Sequence, residues 1–276
     1  MNNLLSFTVV AALVTTAGTL LGLVLKEVLF ARSFEQWKLR QSLREVSRKY
    51  REPIALSALE LANRLSRICD SYPPEYLDSQ LLNIDAPKSA VNSADDPYYK
   101  RQMLVSSVYR LSSFLGWIEL YRQDTAFLEP DAKSAISRVS TAIYALRADL
   151  ADGQLIDKRD WEKWRDVLIF REEQRAIGES MISTSGANRT VIGFSEFWDL
   201  FLGDVPTSRR RWLNVGSVFL LDPQPEKDFR LERMKRMVVH LVDLVECAAP
   251  GRLREEHLRA REKWRYSTAE RLTDNL

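Results

Sequence analysis

Residues 4–25 read LLSFTVVAALVTTAGTLLGLVL, twenty-two positions without a charged side chain. As a helix they span about 33 Å, enough for a hydrocarbon core of about 30 Å. The serine and threonines do not spoil this, because their hydroxyls bond back to their own helix. The stretch predicts one N-terminal transmembrane helix, with the remaining chain a soluble multi-helix bundle, all-α in class. The boundaries expected are an anchor over 1–25, a basic juxtamembrane helix over 26–51 and a cytoplasmic helical domain over 52–276.

The flanks orient the anchor. Residues 1–3 are uncharged, whereas residues 26–51 hold eight bases against three acids. The excess of Lys and Arg puts the C-terminal side in the cytoplasm and the N-terminus outside. A cleaved signal peptide would want a basic start and a shorter apolar run. Positive charge is concentrated beside the bilayer, where Lys26, Arg32, Lys38 and Arg40 are placed to meet lipid headgroups. With a total of +2, residues 52–276 carry −3. A mildly acidic domain argues against nucleic acid as a partner.

One stripe of the anchor is built from small residues. Thr8, Ala11, Thr15, Gly18 and Gly22 recur at spacings of three and four, and Gly18 and Gly22 form a GxxxG pair. Small residues let helix backbones approach closely in lipid. The expectation is a homo-oligomer or pairing with another membrane helix.

Past the anchor the apolar period stays helical. Phe30, Phe34 and Trp37, then Leu39, Leu43, Val46 and Tyr50, extend the helix to about residue 51, with Pro53 as the first stop. A second helix is expected over 54–71 and a long surface connection over 73–98, which is rich in Pro, Asp, Ser and Asn. Further helices are expected over 100–122, 132–150, 158–182, 228–248 and 252–272, with a loop at 183–188 and a short helix capped by Ser195. Residues 213–221 read equally as a strand or a buried helical turn. Little else suggests strand, and no internal repeat is present.

Chemistry is thinly signalled. No phosphate-cradling glycine loop and no nucleophile elbow occurs. The two histidines, His240 and His257, and two cysteines, Cys69 and Cys247, have no zinc spacing, so neither metal nor cofactor is expected. Both cysteines sit in apolar helical patterns and read as buried thiols, and His240 reads as a satisfied core residue. No catalytic residue is assigned.

What survives is a carboxylate and arginine set. Glu172, Arg175 and Glu179 share one helix face, Arg171 lies beside them, and Gly178 in mid-helix signals a close neighbour. Glu119, inside FLGWIELYR, needs a partner such as an arginine if it is buried. Arg209, Arg210, Arg211 and Trp212 form a basic and aromatic cluster expected in a loop.

Two function classes follow. The first is a membrane-tethered noncatalytic interaction or regulatory module, presenting its helical domain to a cytoplasmic protein. The alternative is a membrane-bound enzyme or ligand sensor using a pocket of Glu119, Arg171, Glu172 and Arg175.

Overall fold

The computed structural model describes residues 2–84, 96–125, 137–152, 167–185, 188–203, 207–224 and 229–273. The chain is predominantly helical. Its main beam is α1, Asn2–Asp70, one helix of 69 residues, about 100 Å long at 1.5 Å per residue.

Pro53 does not stop α1, contrary to the sequence expectation. It lies inside the helix, where its missing N–H leaves the Lys49 carbonyl without its intrahelical donor, at a cost of about 3 kcal/mol. Packing around it offsets that cost. Tyr50, Ile54, Ala55 and Ala58 are buried on either side. The turn is also clamped from outside: the Arg51 guanidinium donates to the Ala248 carbonyl and Arg252 pairs with Glu52.

Among the described residues, the other α-helices are α2 Pro97–Thr125, α3 Ser137–Ala151, α4 Arg171–Ser180, α5 Phe194–Leu202, α6 Ser208–Val218, α7 Arg230–Ala248 and α8 Glu255–Thr273. The part of α1 beyond Tyr50 packs between α2 and α7. α3 and α8 also pack on α7, and α4 bridges α2 to α6. One core collects Leu61, Leu65 and Ile68 of α1, Leu104, Val108 and Phe114 of α2, and Met234, Leu241 and Val245 of α7. Each set follows the three- and four-residue period of the stripe an α-helix buries.

Several local expectations change. The connection after α1 is built rather than loose in its first part: short 3₁₀ turns at Glu75–Leu77 and Ser79–Asn83 bury Leu77 and Leu81. Asp222 holds them, donating its N–H to the Leu77 carbonyl and accepting the Ser79 N–H. Residues 85–95 of that connection lie outside the described residues. Of the expected helix over 158–182, residues 158–166 lie outside the described residues, and residues 168–170 are not helical: the Ile169 N–H goes to the Leu150 carbonyl and the Gln174 amide to the Ile169 carbonyl.

The stretch read as a loop holds a hairpin. β1, Ile182–Ser185, pairs antiparallel with β2, Asn188–Val191, in the register Ile182 to Val191. α5 is capped by Gly193 and not by Ser195. Residues 213–218 are helical, and Arg209 to Trp212 form the start of α6 rather than a loop, with the Thr207 hydroxyl accepting the Arg210 N–H as cap.

Among the described residues, no helix is long and apolar enough to cross a membrane. The side chains of Leu4 to Ala11 and of residues 23–33 lie outside the described set. Within it, Ala12 through Leu20 are all exposed, with Leu13 at 64% and Val14 at 67%. The Thr16 and Thr19 hydroxyls donate to the Ala12 and Thr15 carbonyls of their own helix, both at 2.7 Å, as the sequence implies.

Candidate functional site

Glu119 sits on the buried side of α2 at 2% exposure. Its charge is met within one turn. Arg122 donates through Nε to Oε2 at 2.7 Å and through a terminal nitrogen to Oε1 at 2.5 Å, a bidentate pair. The Gln123 amide adds a third bond at 2.6 Å. The residue opposite Glu119 has no side chain: Gly178 of α4 lets the two helices touch.

From Glu119 a polar chain runs to α1. Gln123 donates its N–H to Glu119 and accepts on its oxygen from the Arg189 guanidinium. Arg189, on β2, also reaches Asp124 Oδ1 at 3.5 Å. The other oxygen of Asp124 accepts the Tyr50 hydroxyl at 2.6 Å and the Lys49 ammonium at 3.1 Å. Burial pushes the Asp124 carboxyl up, but the bonds from Tyr50 and Lys49 and the charges of Lys49 and Arg189 outweigh it and hold the group below its usual range. Tyr50 is also the first buried residue of α1 among the described side chains. The network therefore sits where the exposed part of α1 enters the bundle.

The other expected residues lie around α4. Glu172, Arg175 and Glu179 are exposed, and no ion pair joins the three among the described residues. The face they share is solvated. The hydrogen bond from Arg122 to Glu119 raises the guanidinium against burial, and the charges of Glu119 and Glu179 add to it. Arg171 stacks over the Tyr144 ring, 4.4 Å from its centre. Its carbonyl accepts from Arg147, which also donates to Gln174 Oε1 at 3.1 Å. Burial and the neighbouring charges of Arg175 and Arg171 push Arg147 down. Glu119, Arg147, Arg171 and Arg175 thus share one neighbourhood, and the sequence reading missed Arg147 within it. Its signal was a lone arginine at the buried end of α3's apolar stripe.

A second buried acid was also missed. Asp149, with its side chain 1% exposed, accepts from Arg236 Nε at 3.2 Å and meets His240 Nδ1 at 2.5 Å. Arg233 donates to the Asp149 carbonyl at 2.5 Å and the Asp152 carbonyl at 2.8 Å. Burial brings its pKa down to about 10. His240 is thus satisfied as expected, though by an aspartate and not in a closed core, since its side chain is 28% exposed. The network joins α3 to α7. Cys69 is buried and Cys247 half-buried, both as free thiols. No group of three metal-ligating side chains gathers among the described residues.

On α1, Thr15, Gly18 and Gly22 are exposed, and a Cβ added at either glycine would touch nothing within 4 Å. The side chains of Thr8 and Ala11 lie outside the described residues. So do those of Lys26, Arg32 and Arg40, whereas Lys38 is exposed. Phe34 and Trp37 stack on each other at 5.9 Å, both well exposed.

Compared with known proteins, the chain matches no family model, no curated protein and no solved structure.

Proposed function

We propose that the protein is a membrane-tethered, noncatalytic interaction module, with its N-terminal helix in the bilayer and its helical domain in the cytoplasm. One observation carries this reading: residues 12–20, within the apolar run of α1, are all exposed, yet they are continuous with the helix at the centre of the bundle. An exposed apolar surface of that size asks for another apolar medium. The uncharged run and its basic flank supply the topology.

The polar residues support a noncatalytic role. Glu119 is paired with Arg122 and hydrogen-bonded by Gln123, and Glu172, Arg175 and Glu179 face solvent. The exposed Phe34 and Trp37 pair offers an aromatic contact on the stalk for a partner or for a second copy. Alkaline carbonate extraction tests the tether, and a reporter fused to the C-terminus tests the side. Retention in the pellet with a cytoplasmic reporter is expected. Release into the supernatant, or a reporter active outside the cell, overturns the reading.

A further inference from the structure

One side of α1 within the bundle carries Glu60, Asn63, Arg64 and Arg67 at spacings of three, one and three, a single stripe on which only Arg64 is buried. Together with Arg110 of α2 they line a cleft of about 190 Å³. Its lining holds three arginines against one carboxylate.

Arg64 decides what the cleft is for. It is 7% exposed, and a guanidinium stays charged at any physiological pH. Buried charges are ordinarily matched by an opposite charge. Arg64 instead donates to the Met103 thioether at 3.3 Å and the Ser106 hydroxyl at 3.1 Å, and it faces the Tyr76 ring at 6.0 Å. None of these carries a negative charge at neutral pH. Arg110 is half-buried, and burial with the charges of Arg64 and Arg67 pushes its pKa down. Three guanidiniums are therefore held together at an electrostatic cost that the single acid, Glu60, on an exposed position, does not remove.

We infer that the cleft between α1 and α2 binds a phosphate-class oxyanion through Arg64, Arg67 and Arg110. Planar guanidinium forks match the oxygens of a phosphate, and the Asn63 amide adds a neutral donor at the same wall. The inference is independent of the membrane tether. If the tether holds, about 39 residues of helix, roughly 58 Å, separate Arg64 from Leu25. A free phosphate-bearing small molecule then reaches the cleft more readily than a lipid headgroup of the same membrane.

The test is calorimetric titration of inorganic phosphate into the full chain in a phosphate-free sugar detergent, with chloride as control. Binding in the millimolar range or tighter is expected, absent for chloride. Arg110→Ala and Arg67→Ala should each weaken it roughly tenfold or more, and Arg110→Lys less. Circular dichroism checks that each variant is folded, and Arg67, being exposed, is the safer of the two. No heat up to tens of millimolar phosphate overturns the inference. So does binding that the two alanine variants leave unchanged. So does a chain that binds only vesicles containing phosphatidylglycerol and not free phosphate. None of these results bears on the tether.

Discussion

Gly178 of α4 and Glu119 of α2 are in backbone-close contact. A Cβ built at Gly178 would stand 2.7 Å from the Glu119 Cβ and 2.7 Å from the Leu115 carbonyl oxygen. Neither neighbour is the free end of a flexible side chain, so the helices must separate to admit a methyl group. Gly178→Ala gains about 1 kcal/mol of helix propensity and loses about 1–3 kcal/mol to overpacking. The expected result in urea denaturation is a lower midpoint. An unchanged or raised midpoint would show that α4 has room to move.

Asp124 ties the entry of α1 to α2 through Tyr50 and Lys49. Asp124→Asn keeps the shape and removes the charge, so protection of the α1 amides near Tyr50 should fall by about 1 kcal/mol in hydrogen exchange. The pH dependence has a definite sign. The carboxyl is held below its ordinary 3.8 in the fold, so its contribution is present above that value and is lost as pH falls through the lower, folded value. The Asn variant should lack that acid-sensitive step.

Burial pushes the Cys69 thiol up to about 12, from an ordinary value of 9.0. The folded chain keeps this proton where the unfolded chain has released it. Stability from this group is complete below about pH 9 and disappears as pH rises toward 12. Cys69→Ala should flatten the alkaline fall of the melting temperature. Equal slopes for the variant and the parent chain would contradict the burial. Thiol-reactive dyes at neutral pH should label Cys247 before Cys69.

Asp149 is the acceptor for Arg236 and His240 in one place. Asp149→Ala leaves both without their carboxylate and should cost about 3 kcal/mol, because breaking a buried pair strands its partners. His240→Ala removes only the partly exposed partner and should cost clearly less. A ranking reversed in thermal melts would mean that the imidazole, and not the carboxylate, holds α3 to α7.

A Cβ added at Gly18 or Gly22 has nothing within 4 Å, which is the ground for testing Gly18→Ile and Gly22→Ile. They should leave the melting temperature unchanged while weakening helix association in vesicles by about 1 kcal/mol or more. Energy transfer between labelled copies measures this. Unchanged transfer would remove the small-residue stripe from the account.

The α-helical elements were legible because their apolar stripes recur at three and four over many turns, as in α2 and α7. What the sequence obscured was short or depended on distant partners. β1 and β2 are four residues each, too brief for an alternating pattern to stand out from a Ser and Thr loop. Pro53 reads as a stop until the clamp from Arg252 and the Ala248 carbonyl is known. The arginines starting α6 look like a loop because their cap, Thr207, follows a proline. The Arg122 partner of Glu119 was foreseeable from its i,i+3 spacing. Asp149 and His240 are 91 residues apart, and no local pattern links them.

An uninterrupted α1 makes angle a matter of residue count. Each residue added between Leu20 and Tyr50 turns the bundle by about 100° around the rod's axis and lifts it by about 1.5 Å. Whichever side of the bundle faces a neighbour is thus encoded by the length of the intervening segment. Inserting seven residues nearly restores the original heading, while inserting two points it almost the opposite way.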